Sequence, residues 1–573
     1  MTKTDDMGAV QSFSAMKAAA FPTIVLAALA WIMASGATGS KSLTLFYVLH
    51  QDRWLITASA IILLIASAWK LRRPAPLPAS RSILIAVAVA MAVAAFVGHY
   101  AILSGHDVSR DEQMASFDAT VFASGQLFAR LPTLWRDHAD ALNTIFMYPA
   151  DHRAGWISSY LPMNALLRAG FGLLGNPYLA GALWTLLGAV ALWNIARRIW
   201  PEKPEAATVA LLLYLGSGQI LITGMTAYAM PAHLALNLVW LSAYLRRSLR
   251  GDIAALAVGF VAIGLHQPLM HPMFAAPILF LLVLERSWGR AGFYAVGYAL
   301  AGLFWLYWPN VAWQMLQAGP DAVRPAGVDY VTRLTETVKQ NGMIGIPLME
   351  ANLLRFFAWQ HLLLPALLVL GLPVLRRDRL AAALGAGCLL TFMVMLIILP
   401  YQGHGFGYRY LHGLIGNAIL LAVYGWNSID REKDHWRGLM TVTTAATLCV
   451  LAPMQLSMAQ AFYRPWADVS HRIDRIDADY AVIGDHDVSF ARDLVLNAPN
   501  LGNRPIRLVR EAIRPDLVRS LCASKPRVAF VGAQTLAPIA HYFGETDSRS
   551  AAQNSAILAR SMQRAGCRIT VAD

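Results

Sequence analysis

SRDEQMASFDA, residues 109–119, sets Asp111 and Glu112 side by side a few positions beyond the apolar run 82–104. If that run crosses a bilayer, the two acids stand where the chain leaves it, and the architecture follows from that placement. The 573 residues are 57% hydrophobic and only 14% charged, with a mean hydropathy of +0.47, so there is too little charge to cover a water-soluble fold of this size. The chain therefore reads as a polytopic α-helical membrane protein.

Working outward from 82–104, thirteen apolar segments approach the roughly 20 residues that a crossing needs. They are 17–37, 54–70, 82–104, 177–196, 205–223, 227–246, 253–270, 272–285, 292–309, 352–375, 380–399, 412–427 and 438–456. The basic clusters KLRRPAPLPASR (70–81), ARRIWPEK (196–203), LRRSLRG (245–251), ERSWGR (285–290), RRDR (376–379) and DREKDHWR (430–437) all fall on one side when the N-terminus is cytoplasmic. The net charge of +13 is explained by this pattern, which removes the case for a nucleic-acid partner. The first apolar run is too long for a signal peptide and reads as a retained span.

The loops 105–156, 310–351 and 401–411 and the tail from 460 onward are then extracytoplasmic. After the acidic pair, Met114, Phe117, Val121, Phe128 and Leu131 recur at helical spacing, which predicts a helix lying on the membrane surface. WISSYLPMNALLRAGFGLLG (156–175) is apolar but carries Pro162 and Arg168, so it reads as a half-crossing or interfacial helix.

At 460 the composition changes. Strand-like runs YAVIG (480–484), IRLV (506–509), RVAFVG (527–532) and RITVA (568–572) alternate with helical stretches, predicting a small α/β domain with a mainly parallel sheet. Two domains result, 1–459 in the membrane and 460–573 outside it. Cys522 and Cys567 can form a disulfide if the tail faces an oxidising compartment, whereas Cys388 and Cys449 lie in apolar runs and no Cys-x-x-Cys occurs. VGAQ has a single glycine and is no dinucleotide fingerprint, so no chemistry is assigned to the tail.

Three places can carry chemistry. A carboxylate at the lipid–water boundary is partly desolvated, which raises its pKa toward the range of a general base, and hard oxygens also suit magnesium or manganese. Asp111 and Glu112 fit either role, and because adjacent side chains diverge, one acid addresses the reacting group while the other positions it or binds the donor. HGFGYRYLHG (404–413) brings Arg409, between Tyr408 and Tyr410, together with His404 and His412. Guanidinium forks a phosphate, the tyrosines can stack on a sugar or anchor at the interface, and the HGFG glycines suggest close approach to a ligand. LHQPLMHP (265–272) places His266, Gln267 and His271 in a turn; with no third metal ligand visible, a polar pocket wall is the better reading. Glu350, His106 and MYPADHRAGW (147–156) are weaker candidates.

The acidic pair early in a large extracytoplasmic loop, followed by surface helices and the return YLPMNALLRAGFGLLGNP, resembles the polytopic glycosyltransferases of the GT-C superfamily. Protein O-mannosyltransferases, lipid A aminoarabinose transferases and arabinosyltransferases belong to it. The resemblance covers about residues 82–430 as architecture, and the shared motif is two residues long. It implies transfer of a sugar from a polyprenyl-phosphate donor to a glycan, lipid or protein hydroxyl outside the cytoplasm, in a bacterial inner membrane. Asp111 is then the base or a ligand to a divalent cation (magnesium or manganese), and Glu112 is its neighbour. By residue chemistry more than by motif, Arg409 with His404, Tyr408 and Tyr410 is the expected donor side, and His266, Gln267 and His271 are the expected pocket wall. Here two spans precede the helix leading into the acidic loop, where the family usually has the loop after the first span.

The competing class is a transporter or a flippase of lipid-linked glycans. Such proteins show internal repeats and acids near the bilayer midplane; this sequence has no evident repeat, and its acids lie in loops. A non-catalytic scaffold presenting the tail fits the long patterned 105–156 loop less well.

Overall fold

The structure, a computed structural model, describes residues 2–36, 42–68, 77, 80–150, 153–317, 330–341, 345–429, 432–545 and 549–572. Each of the thirteen apolar segments coincides with helix, and two of them are broken. One break bends Glu205–Leu215 by 60° against Gly218–Gly224; the other separates Gly345–Ala358 from Leu364–Gly371. Among the described residues six helices are long and apolar enough to cross a membrane, seven if the bent pair is one span. Met270–Leu284 and Leu364–Arg376 are apolar but shorter. Several of the shorter helices are enclosed by their neighbours, as Met230–Tyr244 is along nearly its whole length. Protein rather than lipid satisfies such a helix, so its length is not set by the bilayer.

The basic clusters meet at one end of the helices. Arg290 forks Asp252 at 2.7 and 2.9 Å, Arg437 bonds Glu205 at 2.9 Å, Arg247 approaches Glu285 at 3.5 Å, and Lys203 donates to the Asn427 carbonyl. Most of KLRRPAPLPASR, the start of DREKDHWR, Asp151 and His152, and much of the 310–351 loop lie outside the described residues.

At the opposite end Ser109 caps the helix Arg110–Ala123. Its hydroxyl accepts from the Glu112 amide while the Glu112 carboxylate accepts from the Ser109 amide, a reciprocal cap contributing about 0.5–2 kcal/mol. Met114, Phe117 and Val121 form the apolar face of this helix, as their spacing requires. That face does not lie on lipid. It is buried with Trp156, Tyr148, Val482, Leu508 and Phe530, which belong to the acidic loop and to the tail. The interfacial expectation is corrected for this reason: protein covers the stripe, and each such side chain gains about 1.5–3 kcal/mol from burial. Met163–Leu173 is an eleven-residue helix, with Arg168 fully buried and donating to the Thr226 carbonyl at 2.8 Å.

The chain does not change fold at 460. Helix continues from Lys433 through a π-helical turn to Asp474, and the tail sheet begins at Tyr480. Four parallel strands, Tyr480–Ile483, Ile506–Val509, Arg527–Val531 and Arg568–Ala572, are ordered second, first, third, fourth. Cys522 and Cys567 form a disulfide.

Candidate active site

The cap sends Glu112 and Asp111 apart. Successive helical residues are separated by about 100° around the axis, so two adjacent acids cannot share a face. Glu112 is fully buried in its cap, where it also accepts from the Tyr463 hydroxyl at 2.9 Å, and it does not line the cavity described below. Burial, and next the Asp107 carboxylate, push its pKa well above the ordinary value. Glu112, expected as the neighbour of Asp111 in the site, thus lies in the helix cap and outside the cavity lining.

Asp111 faces a cavity of about 530 Å³. One carboxylate oxygen is 2.8 Å from Arg409 Nη1, and the other accepts from the Tyr160 hydroxyl. Burial pushes the Asp111 carboxyl up, but Arg409, His266 and the Tyr160 hydrogen bond outweigh it and hold the group below the usual range. The raised pKa expected from desolvation is therefore reversed, because a desolvated guanidinium lies in direct contact. Burial alone would lower the pKa of Arg409; Tyr228 and Asp111 more than compensate, and it stays charged.

Arg409 is delivered by a turn with few alternatives. Its amide donates to Gln402 Oε1 at 2.7 Å, Gln402 Nε2 donates to the Gly407 carbonyl at 2.9 Å, and Gln219 Nε2 donates to the Tyr408 carbonyl at 2.9 Å. Below the turn, Arg355 donates to the Gly405 carbonyl at 2.5 Å and pairs with Asp52 at 3.3 Å, both side chains excluded from solvent. The Tyr228 ring lies 4.7 Å from the Arg409 guanidinium carbon, a cation–π contact. Gly405 (φ +136) and Gly407 (φ +65) need left-handed backbone, and a Cβ there would strike Arg409 and Gln219 respectively. The glycines thus admit protein side chains, where the sequence suggested a ligand.

Of the other expected residues, His404, Tyr410, His266 and Gln267 line the cavity. Tyr408 is fully buried against Met349, and His271 is held between Asn237 at 2.8 Å and Tyr298 at 2.7 Å; neither lines it. Tyr408 lies one position before Arg409 in the turn and packs inward, while His271 sits inside helix Met270–Leu284 rather than in the turn ahead of it. Glu350 is exposed, and His106 is half-buried outside the cavity.

The sequence did not single out Arg110, Tyr160, Tyr401, Phe490 or Asp493, all of which line the cavity. Tyr160 sits in an apolar run and the last two in the tail, so no local pattern marked them. Burial pushes the Asp493 carboxyl up to about 7 against the pull of Arg110. The wall is two-sided in chemistry. Helices contribute Trp305, Pro309, Leu334, Met395 and Ile398, and the start of helix Arg110–Ala123 together with the neighbouring turns contributes the polar groups around Asp111 and Arg409.

Both Asp111 carboxylate oxygens have protein partners, and among the described residues no three His, Cys, Asp or Glu side chains converge as a metal-binding group.

No family model and no curated protein matches the chain. Among solved structures it is similar to ArnT from Cupriavidus metallidurans bound to undecaprenyl phosphate, at 16% identity, 80% of this chain, 87% of that one and a TM-score of 0.49. The same protein in its apo state gives 15%, 81%, 88% and 0.46. Likeness of this degree carries no argument about chemistry, and the functional reading rests on the residues of the cavity.

Proposed function

We propose that the chain is a membrane glycosyltransferase that moves a sugar from a polyprenyl-phosphate donor to an acceptor hydroxyl on the extracytoplasmic side. The observation that carries this reading is the Asp111–Arg409 pair, 2.8 Å apart, in the wall of a cavity whose helical lining is apolar. An amphipathic cavity with one guanidinium suits a lipid chain that ends in phosphate. The disulfide in the tail supports the side, since that tail also lines the cavity and disulfides persist in oxidising compartments.

In the reaction we infer, the donor phosphate takes Arg409 as its partner. Asp111 then loses its counter-charge while remaining buried, so its basicity rises when donor is present. The acceptor hydroxyl gives its proton to Asp111 as its oxygen bonds to the anomeric carbon, and the bond from that carbon to the phosphate oxygen breaks. Arg409 neutralises the charge left on the phosphate, and Tyr160 fixes the carboxylate. A single displacement of this kind inverts the anomeric configuration. No step is routed through a metal.

The test is transfer of radiolabelled sugar from polyprenyl phosphate in membranes. Asp111→Asn is expected to lower it about 100-fold or more with the protein still folded. Undiminished transfer by that variant would remove Asp111 from the reaction. Comparing envelope glycans by mass spectrometry with and without the protein names the sugar and the acceptor.

A further inference from the structure

Phe490 and Asp493 reach the cavity from the tail, in the segment that leaves the carboxyl end of the strand Tyr480–Ile483. That strand lies between the second and third strands of its sheet, which is where strand order reverses. In parallel sheets, loops at this position form ligand crevices. The segment is fastened to the acidic loop: Gln113 Nε2 donates to the Asp493 carbonyl at 2.8 Å, and Asn143 Nδ2 donates to the Arg492 carbonyl at 2.9 Å.

Held this firmly, the segment still brings the Asp493 carboxylate to the cavity wall. The Asp493 carboxylate accepts no hydrogen bond among the described residues. His404 is 5% exposed; its Nδ1 meets the Tyr47 hydroxyl at 3.1 Å, while its Nε2 is buried without a partner. Phe490 stands edge-on to His404, ring centres 4.4 Å apart, on left-handed backbone (φ +59). A bulky residue in that conformation costs about 1–3 kcal/mol, and such strain collects at ligand sites.

We propose that Phe490 and Asp493 form an acceptor subsite for a carbohydrate, with a sugar ring packed on Phe490, which His404 backs, and its hydroxyls bonded to the Asp493 carboxylate. The subsite rests on the glycosyltransferase reading and narrows its acceptor to a sugar hydroxyl. Sugar hydroxyls donate to the carboxylate while the ring's C–H face packs on the aromatic side chain. An apolar chain would leave the carboxylate without a donor, at about 1–3 kcal/mol. A phosphate would face the Asp493 carboxylate and belongs with Arg409.

The experiment uses the full-length protein carrying Asp493→Asn or Phe490→Leu, with Asp493→Glu and Phe490→Tyr as conservative controls. Two quantities are read: affinity of the purified protein for undecaprenyl phosphate, and transfer of labelled sugar in membranes with product identification by mass spectrometry. Asp493→Asn and Phe490→Leu are expected to lower transfer about tenfold or more while undecaprenyl phosphate affinity changes by less than about twofold. Phe490→Tyr should retain most transfer. Wild-type transfer in both disruptive variants overturns the subsite, as does a parallel loss of undecaprenyl phosphate binding. A wild-type product attached to a protein or lipid hydroxyl overturns the carbohydrate assignment while leaving the transferase reading intact. Transfer of no sugar by the wild-type protein would instead sink the transferase reading itself.

Discussion

At the residue scale, SRDE encodes two different fates for two adjacent acids. Ser109 and Glu112 are three apart, the spacing of a reciprocal helix cap, so Glu112 is spent on the helix start and Asp111 turns into the cavity. Glu112→Gln keeps the cap, because glutamine fills the same role. It is therefore expected to leave sugar transfer within about twofold of wild type, against the loss of about 100-fold or more expected of Asp111→Asn. A loss as large as that of Asp111→Asn would return Glu112 to the reaction. The variant also has a pH signature. The pKa of Glu112 is raised on folding, so its contribution to stability is fully present below the unfolded value near 4.5 and is lost as pH rises above it. Thermal melts in detergent should show Glu112→Gln gaining on wild type toward alkaline pH and converging with it below about pH 4.5.

At the element scale, the 402–409 turn matters more than any residue it carries. Arg409 has one usable position because three side-chain-to-backbone bonds, Gly405, Gly407 and the buried Arg355–Asp52 pair define the path beneath it. Gly407→Ala imposes a left-handed alanine and a clash with Gln219, which itself holds the Tyr408 carbonyl. The expected cost is about 1–3 kcal/mol, with weaker undecaprenyl phosphate binding as Arg409 shifts. Unaltered Tm and affinity would show that the turn absorbs the change. The sequence marked this turn through its arginine, histidines and glycines but misassigned the glycines, since close approach is visible in composition and its partner is not.

At the scale of the whole molecule, the helical region and the tail share one site. The apolar face of Arg110–Ala123 is buried on side chains from the tail strands, and the tail returns Phe490 and Asp493 to the cavity. The disulfide between Cys522 and Cys567, 45 residues apart, closes the outer part of this body. Cys522→Ser is expected to destabilise the tail by about 2–5 kcal/mol, read as a lower Tm and faster limited proteolysis beyond residue 480. Transfer should fall with it, because the cavity loses part of its wall. A destabilised tail with wild-type transfer would show that the wall is dispensable.

A helical membrane protein, the segments that become its helices, the strands of its tail and a short stretch holding the acid at the cavity are all legible in residue order. Hydropathy, charge alternation and strand patterning are local quantities, and a local reading recovers them. Which acid faces the cavity, the hold on ionised Asp111 by a guanidinium 298 residues away, and the contribution of the tail to the cavity wall emerge from the folded chain alone. These depend on side chains brought together from distant positions. The pKa of a buried group, and the choice between lipid and protein as the cover of an apolar face, are set by neighbours in space that sequence spacing does not record.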